Sequence, residues 1–240
     1  MILTDQRVPT GINGLDFMLG GGFPLNSIVL ICGGLGAGKT VFSLQYIASA
    51  LRRGEPCVYI CFEEPVAKQY GYAEAFGWDL NSADERGLLV SLSFKICPNS
   101  HTVFNQSFAD QNYSIEQSMV EAVQKTGAKH VVVDSLTSIL VQESKSDGIR
   151  QAVNQLYEAI RLLGCNALIL SEGVPNRGVF YMEQFLSDGL ILMNREVQDF
   201  QLIKTVLIDK MRGIAFDDQP RRYSISDKGI KVYNSEPVIM

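Results

Sequence analysis

Histidine is scarce in this chain, with only His101 and His130, and there is a single tryptophan. The five cysteines, Cys32, Cys57, Cys61, Cys97 and Cys165, are odd in number and scattered, and neither histidine stands beside a cysteine pair. Zinc sites and secreted disulfide frameworks need closely spaced or even sets. The cysteines therefore read as small buried hydrophobes in a reducing compartment. Cations are also in deficit: 21 Lys and Arg against 26 Asp and Glu leave a formal net charge of −5. Phosphate-backbone binding draws on clustered Lys and Arg, so this balance argues against a nucleic-acid partner unless a local basic groove exists. No apolar run is long enough to span a bilayer. The first residues, Met1 to Gln6, have neither the basic region nor the apolar core of a secretory leader. A cytoplasmic protein without a membrane span is the expectation.

What is present is apolar and patterned. At 46% hydrophobic over 240 residues the chain can bury a sizeable core. Residues Gly33-Gly34-Leu35-Gly36-Ala37-Gly38-Lys39-Thr40 match the phosphate-loop pattern G-x-x-x-x-G-K-[ST]. The apolar run Ile28-Val29-Leu30-Ile31 leads into it. From Lys39 to Arg52, Val41, Leu44, Ile47, Ala48 and Leu51 recur at helical spacing. A strand, a glycine loop and a helix start make an anion cradle, in which backbone N–H groups and the helix dipole converge on phosphate oxygens. The candidate phosphate-binding set is Gly34, Leu35, Gly36, Ala37, Gly38, Lys39, Thr40 and Val41. Within it Lys39 reaches the β- and γ-phosphates and the Thr40 hydroxyl holds Mg²⁺. The chain is thereby expected to bind a nucleoside triphosphate.

Further strands are predicted at Cys57–Phe62, Leu88–Leu92, Val131–Asp134 and Ala167–Ser171. Helical stretches are predicted up to Phe76, at Ser114–Lys125 and at Ile149–Leu163. Strands of near-continuous apolar residues alternating with helices indicate an α/β fold, a mostly parallel sheet covered on both faces. After Ser187 the runs Leu190–Leu192, Leu202–Met211, Arg222–Ile225 and Ile230–Tyr233 follow without helices between them and read as an antiparallel C-terminal extension. The polar stretch 95–113 reads as a surface excursion. No linker or repeat is visible, so residues 1–240 read as one domain.

Three further features carry chemistry. Asp134 ends an apolar strand, where a carboxylate beside the cradle holds Mg²⁺ through water. Glu63 and Glu64 end another strand candidate, where a carboxylate can orient or deprotonate water in line with a γ-phosphate. Lys210 and Arg212 close the longest late strand and, two apart, share a face on which Lys204 also falls. Such cations stabilise phosphoryl transfer, sometimes from another subunit.

Taken together the chain resembles the KaiC-like branch of the RecA/RadA superfamily of ATPases, with a RecA-like P-loop core. The resemblance rests on Thr10-Gly11-Ile12-x-x-Leu15-Asp16, Gly20-Gly21-Gly22-Phe23-Pro24, the phosphate loop and Phe62-Glu63-Glu64. It continues through Phe76-Gly77-Trp78-Asp79, Val133-Asp134-Ser135, Asp188-Gly189-Leu190 and Lys210-Met211-Arg212-Gly213. It implies ATP as the nucleotide and hydrolysis between subunits of a homo-oligomeric ring, most often a hexamer. Glu63 would be the catalytic base with Glu64 beside it, and Lys210 and Arg212 would act on the neighbour's γ-phosphate. Where the family carries polar residues after its Lys-Met-Arg-Gly, this chain has Ile214, Ala215 and Phe216. That departure motivates an alternative, a nucleotide-binding regulatory scaffold with negligible turnover. A second alternative is a weak single-stranded DNA binder through Arg177, Phe180 and Tyr181 in the loop Gly173–Gln184. The partner protein is not legible.

Overall fold

A computed structural model of the chain describes residues 6–62, 64–96, 103–105, 115–140, 146–173, 182–198 and 200–237. In chain order the elements begin β1 (Arg7–Val8), α1 (Leu15–Met18), β2 (Phe23–Pro24), β3 (Ile28–Gly33), α2 (Lys39–Arg52) and β4 (Cys57–Cys61). They continue α3 (Val66–Ala75), α4 (Leu80–Glu85), β5 (Leu89–Ile96), β6 (Val103–Asn105), α5 (Ile115–Thr126), β7 (His130–Asp134) and α6 (Leu136–Leu140). The remainder are α7 (Ser146–Leu163), β8 (Asn166–Ser171), α8 (Met182–Leu186), β9 (Gly189–Gln198), β10 (Gln201–Met211), β11 (Arg221–Ser226) and β12 (Gly229–Pro237).

β1 and β2 pair with each other, and the other strands form one sheet in the order β12-β11-β10-β9-β3-β8-β7-β4-β5-β6. From β9 to β5 the neighbours run parallel, while β6, β10, β11 and β12 are antiparallel to theirs. The α/β architecture read from the sequence is the one observed, with two adjustments. The sequence pattern groups β9 with the antiparallel extension, but β9 lies parallel to β3, because the short helix α8 returns the chain to the end of the sheet where β3 begins. The extension proper starts at β10. The excursion at 95–113 starts as sheet: β5 runs on to Ile96 and pairs with β6, and the rest of that segment lies outside the described residues.

The central strands are apolar throughout because both their faces are covered. Along β3, Val29 and Ile31 join the core beneath α2, while Ile28, Leu30 and Cys32 join the core beneath α5 and α7. The same alternation divides Tyr59 from Val58 and Ile60, Val132 from Val131 and Val133, and Leu168 from Ala167 and Ile169. In α7, Val153, Leu156, Tyr157 and Ile160 are buried at the spacing of one helical stripe. Cys32, Cys57, Cys61 and Cys165 are buried free thiols. Burial pushes Cys32 up to about 12 and Cys61 and Cys165 to about 11, so they pack rather than react. No helix among the described residues is long and apolar enough to cross a membrane.

Candidate functional site

β3 delivers the chain to Gly33, residues 34–38 turn it, and α2 takes over at Lys39. Two positions of this turn require glycine: Gly36 has φ 74° and Gly38 φ 94°, the left-handed region that L side chains avoid. The Ala37 N–H donates to the Gly34 carbonyl at 3.2 Å, and the bond from Phe42 N to the Gly38 carbonyl, 2.9 Å, opens the helical ladder. The N–H groups of Lys39, Thr40 and Val41 precede that ladder and face out of the helix end. Gly34, Leu35 and Gly36 are exposed, Ala37 is buried, and Lys39, Thr40 and Val41 are half-buried. Val41 directs its side chain into the core, leaving only its backbone to the loop. Lys39 curls over the loop, its Nζ donating to the carbonyls of Gly33 at 2.7 Å and Gly34 at 3.3 Å.

Asp134 stands at the same end of the sheet. The register sets Val133 beside Ile169 and Ile169 beside Leu30, so Asp134 is level with Ile31. With β8 between them, β7 and β3 lie about 10 Å apart. Asp134 Oδ2 accepts a hydrogen bond from the Tyr59 hydroxyl at 3.2 Å, and the chain leaves through a cis peptide to Ser135. Burial, reinforced by the Asp134 charge, holds the Tyr59 phenol well above its ordinary value, so it remains a donor. A hydroxyl at Thr40 and a carboxylate at Asp134 are hard oxygen donors of the kind Mg²⁺ takes, and the glycine turn beside them is an anion cradle. Those residues fit a magnesium–triphosphate group.

Glu64 follows β4 at this end too, but its carboxylate is engaged by the first turns of α3. It accepts from Lys68, from Gln69 Nε2 at 3.2 Å and from the Tyr72 hydroxyl at 3.3 Å. Glu63 lies outside the described residues, as do Arg177, Phe180 and Tyr181.

The cations of β10 are elsewhere. Because β10 runs against β9, its last residues lie where the parallel strands begin: Met211 pairs with Gly189, which pairs with Val29. Lys210 and Arg212 are therefore near the end of the sheet opposite the phosphate loop of their own chain. Lys210 Nζ donates to the carbonyls of Ser187 at 2.5 Å, Gln184 at 3.1 Å and Phe185 at 3.4 Å. It thus caps the carboxyl end of α8. Burial, and then repulsion from Arg212, lower its pKa. Arg212 reaches the Phe185 carbonyl at 3.4 Å and Asp188 at 3.6 Å while remaining 54% exposed. Lys204 does not share their face. A one-residue bulge between Ile208 and Lys210 reverses the alternation, so Met211 joins Val206 and Ile208 in the core beneath α2. Lys210 and Arg212 point the other way, and Lys204, paired with Arg195 on the α2 side, is separated from them.

The departure at residues 214–216 has a packing reason. Ile214 and Phe216 lie partly buried against the core under α2, and the Asp217 N–H that follows donates to the Met18 carbonyl at 2.9 Å. Asp217 also pairs with Arg221 at 2.6 Å.

Some neighbours of the loop were missed in the sequence. The Tyr223 hydroxyl, on β11, donates to the Ala37 carbonyl. A β-carbon on Gly38 would overlap Ile225 Cδ1, and one on Gly36 would lie 3.4 Å from Arg195 Nη1. Arg195, Met193 and Asn194 share a cavity of about 370 Å³ with Gly34 and Leu35. These residues are remote in sequence, with no local motif to mark them; the alternation of Tyr223 and Ile225 along one strand was the only available signal.

A family model described as a KaiC ATPase matches residues 8–237. A UPF0273 protein of Thermotoga maritima is 32% identical over 241 residues, covering 96% of this chain and 97% of its own length. The circadian clock protein KaiC3 of Synechocystis is 30% identical over 233 residues, covering 95% of this chain and 45% of that protein. Among solved structures, a KaiC-like protein from the hyperthermophilic archaeon Pyrococcus horikoshii matches with a TM-score of 0.82 at 27% identity. That match covers 95% of this chain and 99% of the other.

Proposed function

The chain belongs to the KaiC family of ATPases, of the RecA-like superfamily, and from that premise we propose that it hydrolyses ATP at sites shared between neighbouring copies in a ring. One observation carries this reading. The phosphate loop and Asp134 occupy one end of the sheet, while Arg212 stands exposed toward the other end, out of reach of the loop in its own chain.

Backbone N–H groups of residues 34–41 bind the phosphates, and Lys39 leaves the Gly33 and Gly34 carbonyls to neutralise β- and γ-oxygens. Thr40 and Asp134 would hold Mg²⁺, which when bound would neutralise negative charge on the phosphates. Glu63 orients and deprotonates the attacking water, with Glu64 fixing the start of α3 beside it. Arg212, with Lys210 supporting it on α8, supplies positive charge to the γ-phosphate of the adjoining copy. Residues 1–240 act as one KaiC-like unit in a cytoplasmic homo-oligomer, a hexamer by family analogy, whose turnover switches a further protein partner.

Release of inorganic phosphate from ATP tests the reading. Wild-type protein should release it only when Mg²⁺ is supplied, and Lys39→Ala should fall to background; unchanged release by Lys39→Ala would reject the assignment. The packing of Ile214 and Phe216 into the core favours one other reading, a scaffold that binds ATP and assembles without turning it over. ATP-driven assembly with background phosphate release would select it.

A further inference from the structure

The carboxyl-terminal hairpin is fastened to the phosphate loop. Tyr223, 4% exposed on β11, donates its hydroxyl to the Ala37 carbonyl, and Ile225, two residues on and on the same face, covers Gly38. The partner strand is tied to α2: Gln45 Nε2 donates to the Ile230 carbonyl at 3.2 Å, and its Oε1 accepts from the Ile230 N–H at 2.6 Å. Burial raises the Tyr223 phenol above its ordinary value, so it is a donor throughout the physiological range.

The Ala37 carbonyl and the Gly38 N–H belong to one planar trans peptide, in which the two groups point in opposite directions. Holding the oxygen therefore aims the hydrogen. With its carbonyl drawn outward to β11, this unit turns the Gly38 N–H away from the hairpin. Gly38 at φ 94° has no side chain to resist that rotation. Without the phenol, the Ala37 carbonyl would lose this partner, and with it the bond that holds the orientation of the peptide.

We propose that Tyr223 is a positioning residue for nucleotide binding, which through the Ala37 carbonyl fixes the Gly38 N–H as a phosphate donor. The inference rests on the phosphate loop binding nucleotide as described above. It makes the β11–β12 hairpin part of the binding site, although none of its side chains need touch the ligand.

The test uses full-length protein, ADP with Mg²⁺, titration calorimetry, and amide spectra of protein labelled with ¹⁵N-glycine. In wild-type protein the Gly38 amide proton should move downfield on adding ADP. Tyr223→Phe keeps the ring in the core; it should bind ADP about three- to tenfold more weakly, the worth of one neutral hydrogen bond, with a reduced Gly38 shift. Ile225→Ala removes packing but keeps the hydroxyl, and should retain the full shift. Wild-type binding with equal affinity and equal Gly38 shift in Tyr223→Phe would overturn this inference alone. So would an Ile225→Ala variant that loses the Gly38 shift as fully as Tyr223→Phe does. A wild-type protein that fails to bind ADP would overturn the nucleotide-binding reading with it.

Discussion

His130, on β7, is 2% exposed and lies between two partners: the Tyr46 hydroxyl at 2.9 Å from Nδ1 and the Glu55 carboxylate at 3.0 Å from Nε2. Arg53 pairs with the same carboxylate at 2.8 Å, and Lys129 adjoins in sequence. Burial lowers the His130 pKa from its ordinary 6.5, although Glu55 opposes that. Well above pH 6.5 the imidazole is neutral folded or unfolded. As pH falls below that, the unfolded chain takes up a proton that the fold resists, so stability drops. Melting temperature measured from about pH 7 to pH 5 should fall, and His130→Asn should flatten the profile; parallel profiles would contradict this. Glu55 itself is desolvated, but hydrogen bonds from Arg53 and His130 outweigh that and lower its pKa, so its contribution is lost only in more acidic solution. At this scale the sequence was legible where the candidate site lies on consecutive residues. Gly33 to Thr40 declare a cradle because glycine, lysine and threonine each have a chemical reason to stand at that spacing. Tyr223 and Arg195 were not legible, since Tyr223 meets Ala37 across 186 positions and no local pattern encodes such a contact.

Among the elements, α2 follows directly from the loop, and Gln45 on it bonds to the β11–β12 hairpin and to the segment before α1. Besides its two bonds to Ile230, its Nε2 donates to the Gly11 carbonyl at 3.0 Å. Gln45→Ala would leave these buried backbone groups without the amide, a loss of about 2 kcal/mol. In a chain of this size that lowers the melting temperature by about 4–8 °C. A thermal scan showing a change under one degree would refute this role. The parallel strands were readable as elements because burial on both faces demands unbroken apolar runs, and the start of α2 because a glycine turn precedes it. Pairing was harder. β9 looks from its sequence like the strands after it, yet it pairs parallel with β3, since what decides its direction is the path through α8. The bulge near Asp209 was invisible for a related reason: nothing in Ile208-Asp209-Lys210 marks an extra residue. That one residue turns Lys210 and Arg212 away from Lys204 and toward α8.

For the whole molecule, the sheet separates the two halves of the proposed chemistry. The cradle and Asp134 lie where the parallel strands end, and Arg212 lies near where they begin. In the proposed mechanism a catalytic unit would therefore consist of two copies, and hydrolysis should be a property of the assembly. Mixing two impaired variants tests this most directly. Lys39→Ala lacks a competent cradle but keeps Arg212; Arg212→Ala keeps its cradle and should turn over more than tenfold slower than wild type. Phosphate release from an equimolar mixture, co-assembled with ATP and Mg²⁺, should recover to about a quarter of the wild-type rate, the share of random interfaces that combine both intact parts. A mixture no more active than its separate components would contradict the account, as would full activity in Arg212→Ala alone.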